Sequence, residues 1–136
     1  MKSTFQIAFI LFTLCCFSQS GLSDEEYNRS GAAKILSVQN AKEAESLAKE
    51  DLKAKTPFLF IQGEIASVKY PTDDQFKKAY GIYYHDFGCV AIDSKISTAY
   101  NNVIFNYLTA TYGKKWMKTI RKDVIGLKKF KPGNGS

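Results

Sequence analysis

Phe58-Leu59-Phe60-Ile61 is an unbroken apolar run held between Pro57 and Gly63. The flanking Pro and Gly leave too little length for a helix, and the aromatic content favours an extended backbone. A strand with one wet face alternates apolar and polar residues; this one does not, so it is expected to be covered on both faces. The rest of the chain must then supply two covers for one central strand. With 10 Phe, 8 Tyr and 1 Trp there is enough apolar area to do so, and 45% hydrophobic against 24% charged residues describes a globular chain.

The covers are read from helical spacing. Asn40, followed three residues later by Glu43, is a helix start, and Ala44, Leu47, Ala48 and Leu52 form one apolar stripe, so a helix is expected over 40–54. It must stop before Thr56, which precedes Pro57. Ile96, Ala99, Tyr100, Val103, Ile104, Tyr107, Leu108 and Thr111 repeat at three-and-four spacing, with Asp93 or Ser94 to cap the start and Gly113 to end it. Trp116, Ile120 and Val124 are four apart and predict a further helix over 114–124.

Residues 72–89, TDDQFKKAYGIYYHDFGC, read as a short helix over 73–80 that feeds a strand over 82–87. Thr72 and Asp73 offer capping oxygens, and Gly81 suits the left-handed residue after a helix. Residues 34–38 are a further candidate strand, 65–70 an edge strand or an ordered loop, and strand–helix–strand over 34–61 is a candidate βαβ unit. The expected fold is an α/β domain with a small three- to four-stranded, mainly parallel sheet under about four helices. An α+β arrangement with a mixed sheet is the alternative.

Lys2, the apolar run from Phe5 to Phe17 and the small residues of Ser18-Gln19-Ser20 describe a secretory signal peptide cleaved after Ser20. The run is shorter than the ~20 residues of a spanning helix, so the processed protein is not expected to be an integral membrane protein. A lipoprotein is a minor alternative: neither Cys15 nor Cys16 follows the small residues that a lipid-accepting cysteine prefers. Residues 21–32 are polar and turn-rich and read as a flexible arm, 33–128 as one globular domain, and 129–136 as a frayed tail. Cleavage leaves Cys89 as the one cysteine, without an internal disulfide partner, and a buried thiol is the expected state.

Charge is uneven. Residues 113–136 carry eight Lys or Arg against Asp123 alone, whereas 21–112 are slightly acidic. Lys114, Lys115, Lys118, Arg121 and Lys122 are therefore candidates for holding an anion or a partner, with a solvated basic face as the simpler reading. Trp116 lies among them but also on the apolar stripe, where core burial is simpler than stacking on a ligand.

His85, Asp86 and Cys89 are the candidate catalytic group, because a thiol needs a base or a positive field to become a nucleophile. Along a strand His85 and Cys89 would stand about 13 Å apart, so a turn at Gly88 would have to bring them together. Asp86 is also a candidate structural partner for Arg121 or for a lysine of the 114–124 segment. Asp86-Phe87-Gly88 spells the metal-binding triplet of protein kinases, but the glycine-rich loop and catalytic loop of that family are missing. One His, one late Cys and scattered carboxylates give no metal-ligand spacing, and no cofactor is implied.

The segments QFKKAYGIYYHDFGC, YNNVIFNYLTATYGKKW and RKDVIGLK resemble the FEKKY-domain family of exported bacterial proteins, over roughly residues 35–128. The family's Phe-Glu-Lys-Lys-Tyr segment corresponds to Phe76-Lys77-Lys78-Ala79-Tyr80, with Lys77 in place of Glu and Ala79 in place of Lys. The resemblance implies a small exported α/β domain, periplasmic or extracellular. The family carries no assigned activity and supplies no catalytic residues. The expected function is a non-enzymatic binding or interaction domain, with an envelope component or another protein as partner; export disfavours nucleic acid. The alternative is a small hydrolase built on Cys89, His85 and Asp86.

Overall fold

The computed structural model describes residues 21–63 and 66–133. The leader, the start of the 65–70 segment and the last three residues lie outside the described residues. The fold is mixed helix and sheet. In chain order the elements are α1 (Asp24–Arg29), α2 (Gly31–Lys34), α3 (Ala41–Ala54), β1 (Phe58–Ile61), α4 (Pro71–Tyr80), β2 (Tyr83–Asp86) and α5 (Ser94–Tyr112).

Phe58, Leu59, Phe60 and Ile61 are all buried, as an apolar run without alternation requires. β1 pairs in parallel with β2, with Phe58 opposite Tyr83 and Phe60 opposite His85. Parallel strands need a crossover, and α4 supplies it. Phe76 of α4 packs 5.3 Å from the Tyr84 ring, while Tyr100 of α5 lies 4.4 Å from Phe60 on the face where His85 also sits. α3 packs along α5 through Ala44, Leu47 and Ala48, and the small alanines let the two helices approach closely.

The sheet is smaller than expected, with two strands among the described residues rather than three or four. The segment 34–38 is not a strand: it is the end of α2 and a 3₁₀ turn over Ile35–Ser37. Gly31, Ala32 and Ile35 face inward at helical spacing while Leu36 faces water, so burial selects the helix. The βαβ unit therefore spans β1, α4 and β2, not 34–61. Residues 67–70 form no strand.

Nor are residues 21–32 a free arm. Ser23 and Glu26 form a reciprocal cap that starts α1, Tyr27 packs 6.3 Å from Phe58, and Ser30, Gly31 and Ala32 are buried. The tail is also docked at its start, where Phe130 lies 5.0 Å from Phe105 and 6.0 Å from Trp116. The caps of α3 and α5 are those expected: Asn40 accepts from the Glu43 amide at 3.0 Å and Asp93 from the Lys95 amide at 2.7 Å. α4 starts earlier than Thr72, with Pro71 at its first position and the Asp73 carboxylate accepting the Tyr70 amide at 2.9 Å.

The predicted helix over 114–124 is replaced by a 3₁₀ turn (Lys115–Lys118) and an extended piece. Trp116, Ile120 and Val124 are all buried, so the spacing identifies the inward residues even though the helix is absent. The reason is the second edge of β1. Val124 bridges Ile61 in antiparallel sense, the Gln62 amide donates to the Asp123 carbonyl at 3.2 Å, and the Ile125 amide donates to the Phe60 carbonyl at 3.0 Å. A helix would give up both of these backbone bonds and the bridge between Val124 and Ile61.

Two consecutive residues of α5 complete that edge. The Tyr100 hydroxyl accepts the Phe58 amide at 3.2 Å; Asn101 Oδ1 accepts the Phe60 amide and Asn101 Nδ2 donates to the Phe60 and Ile125 carbonyls, each at 2.9 Å. The Tyr100 hydroxyl donates in turn to Asp51 at 2.5 Å, and the same oxygen accepts the Gly31 amide at 2.7 Å. A Cβ on Gly31 would come within 2.5 Å of that carboxylate, so only glycine permits the approach.

Replacing Asn101 by Ala should cost about 3 kcal/mol, because the Phe60 amide is left buried without an acceptor. Urea unfolding checks it, with exposed Asn106→Ala on the same helix as the control that should barely move. Equal midpoints for the two variants would show that Asn101 does not hold the strand edge.

Candidate functional site

β2 carries His85 and Asp86 on opposite faces. The His85 ring lies 4.7 Å from Phe87, 5.9 Å from Tyr27, and 6.1 Å from Phe58 and from Phe60. Burial among these rings holds its pKa below the ordinary 6.5, against a smaller opposing pull from Asp86. Asp86 Oδ1 accepts the Gly88 amide at 2.7 Å. Gly63 sits against this turn so tightly that a Cβ would lie 2.2 Å from Asp86 Oδ1 and 2.5 Å from the Gly88 nitrogen.

Cys89 is exposed, which corrects the expectation of a buried thiol. Gly88 adopts φ 56° and the Val90 amide closes a turn onto the Phe87 carbonyl at 3.0 Å. The turn lifts the chain off the sheet, so the alternation that buries Phe87 does not continue to Cys89. No hydrogen bond joins His85, Asp86 and Cys89 to one another among the described residues: the imidazole sits among rings, the carboxylate serves a turn, and the thiol faces solvent.

Arg121 is where the polar geometry is densest. Its side chain is only 9% exposed and pairs with Asp73, itself 9% exposed, at 3.0 Å. It also grips Asp123 with two bonds of 2.9 and 2.5 Å and donates to the Val68 carbonyl at 2.9 Å. The guanidinium lies 4.7 Å from the centre of the Tyr70 ring and 5.6 Å from that of Tyr84. The Arg121 amide donates to the Tyr84 hydroxyl at 3.2 Å, and burial pushes that phenol's pKa up. Asp73 Oδ1 is buried with no hydrogen-bond partner among the described residues.

Arg121 therefore differs from the other basic candidates. Its donors are committed within the fold, and its partners are Asp73 and Asp123 rather than Asp86. Lys114, Lys115, Lys118 and Lys122 are exposed, as are Lys128, Lys129 and Lys131. None of these seven pairs with a described acidic residue. Trp116 is fully buried, stacked 5.5 Å from Phe105, and its Nε1 donates to Thr109 at 3.3 Å, which leaves it no part in an external surface.

Beside the Arg121 cluster, α4 and residues 118–123 bound a cleft of about 690 Å³. Lys118, Arg121 and Lys122 line it together with Tyr70 and Tyr80, whereas Lys114 and Lys115 lie outside it. Spacing pointed to the lysines, but nothing in it marks the tyrosines: their place follows from contacts between residues some 40 to 50 positions apart, such as Asp73 with Arg121. Among the described residues, no group of three or more His, Cys, Asp or Glu side chains is placed to hold a metal ion, and no helix is long and apolar enough to cross a membrane.

Because burial lowers the His85 pKa in the fold while the unfolded chain titrates near 6.5, the folded state takes up fewer protons as pH falls through that region and loses stability there. Asp51 acts with the opposite sign: burial raises its carboxyl above 3.8, so its contribution falls as pH rises through that region. Unfolding of wild type against His85→Phe, which keeps a ring among the others, isolates the first effect. The variant should lose less stability than wild type on acidification, and equal losses would remove His85 as the cause.

An exposed thiol should alkylate in the folded protein at a rate within a few-fold of the denatured control. Iodoacetamide trapping followed by mass spectrometry reads this directly, and protection until unfolding would contradict the exposure. No family model, curated protein or solved structure matches the chain, so a functional reading rests on the geometry of these regions.

Proposed function

We propose that this chain is an exported, non-enzymatic binding domain that attaches to an anionic partner through the lysines of its C-terminal segment. One observation carries the reading: seven exposed lysines between 114 and 131 lack a described acidic partner, while the one carboxylate of that stretch, Asp123, is held by Arg121. Exposed cations with acidic neighbours are largely neutralised at the surface; these are not, so they sum to a positive field that draws in and orients an anion. The leader motif and the resemblance to exported FEKKY-domain proteins support an envelope component as the partner, in the periplasm or outside the cell. A thiol hydrolase is less well supported, since His85 is enclosed by aromatic rings and Asp86 by a backbone turn.

The domain should be retained on heparin and on anionic vesicles at low salt and be released as salt rises through ~0.15 M, where charges more than about 8 Å apart are screened. Reversing Lys114, Lys115, Lys128 and Lys129 to Glu should bring elution to lower salt without changing the unfolding midpoint, because all four are exposed. Passage of the wild-type domain through heparin, vesicles and acidic glycan at low salt without retention would overturn the reading.

A further inference from the structure

The cleft between α4 and residues 118–123 combines three features. Its volume, about 690 Å³, falls in the range of small-molecule sites. Its apolar side includes the buried Phe76 and Ile120 and the rings of Tyr70 and Tyr80, with Tyr70 46% exposed. Its polar side offers uncharged hydrogen-bonding groups, Gln75 and Thr119, and the two lysines 118 and 122.

The charge of the cleft has a definite sign. Arg121 is offset by Asp73 and Asp123, which leaves one negative charge over; Lys118 and Lys122 exceed it and turn the site net positive by one. Both lysines are exposed at the chain's surface, and among the described residues Lys122 Nζ donates only to the Met117 carbonyl, at 3.3 Å. The guanidinium lies over the Tyr70 ring and is bonded to two carboxylates, which pins one wall to the base of the cleft. Such a wall is already ordered before a ligand arrives.

We infer that this cleft binds a carboxylated saccharide unit, with Tyr70 and Tyr80 against the sugar's C–H face and Lys118 and Lys122 on its carboxylate. An aromatic side chain that is half exposed and rimmed by neutral hydrogen-bonding groups suits a ligand with one apolar face and many hydroxyls. The net positive sign selects the acidic sugar over the neutral one. A lipid headgroup would use the same lysines but gives no role to the tyrosines or to Gln75 and Thr119. The inference rests on the anionic-partner reading and narrows it to one site and one ligand class.

The test is calorimetric titration of the folded domain with a tetrasaccharide alternating glucuronate and N-acetylglucosamine. The tetrasaccharide of N-acetylglucosamine alone and vesicles of equimolar phosphatidylcholine and phosphatidylglycerol serve as comparisons. Lys118→Gln with Lys122→Gln should weaken the acidic tetrasaccharide about tenfold, whereas Lys114→Gln with Lys115→Gln, the same change of charge outside the cleft, should leave it within about twofold. Tyr80→Leu should also weaken it while leaving heparin retention unchanged. Equal losses for the two lysine pairs, binding to vesicles alone, or no binding of the acidic tetrasaccharide would overturn the cleft. Heparin retention persisting in those cases would leave the broader anionic reading standing, and its loss would end both.

Discussion

A strand buried on both faces still has two edges, each a row of N–H and C=O groups that must find partners away from water. β1 solves one edge with β2 and the other with side chains. Asn101 acts there as a fragment of strand: its amide group offers one acceptor and one donor to Phe60 in the pattern a neighbouring backbone would present. Its second amide hydrogen reaches the Ile125 carbonyl and so fastens the returning C-terminal segment to the same edge. α5 thus helps set where the returning segment lies: Asn101, which completes β1, also holds the Ile125 carbonyl, while Val124 bridges Ile61.

The hydrogen bonds do not stop at the strand. From the Phe58 amide they run through the Tyr100 hydroxyl to Asp51 on α3, and from Asp51 to the Gly31 amide at the start of α2. Each buried polar group has its partner in the next element, so removing one member would strand the others in a medium that does not solvate them. Burial raises the Asp51 carboxyl pKa, and the bonds from Tyr100 and Gly31, both aimed at one oxygen, pull against that shift. The tight approach at Gly31 ties the segment first read as a mobile arm into the same network.

The legible part of this fold was whatever depended on local order. The run 58–61, the Asn40 and Asp93 caps, the Gly81 and Gly113 terminators and the inward spacing of Trp116, Ile120 and Val124 all follow from neighbours in sequence. What the sequence hid was polar and distant. Asn101 and Asp51 lie outside the apolar stripes that the spacing marks, and their burial makes sense only once a strand edge and a tyrosine hydroxyl stand opposite. Arg121 was a candidate partner for Asp86, since nothing local shows that Asp73, 48 positions earlier, would take that place. Cys89 was expected inside because an unpaired cysteine behaves as a small apolar residue, but Gly88 turns the chain and leaves the thiol outside.

The same edge pairing explains why the lysines can form a surface at all. A helix over 114–124 would have spread its basic residues around its exposed flanks. Instead Trp116, Ile120 and Val124 are drawn into the core at intervals and the residues between them are left outside. Arg121 is the exception, and its fate differs for a chemical reason: a planar fork that can serve two carboxylates and a carbonyl at once keeps its charge at low exposure, whereas a lysine ammonium is more strongly hydrated. The buried arginine holds Asp123 and the Tyr70 ring in place, and the lysines on either side of it in sequence, 118 and 122, inherit a fixed backbone from which to reach a ligand. Backbone order of this kind lowers the entropy lost on binding, so a small number of exposed charges on a folded edge can do what a disordered basic tail would need many more to achieve.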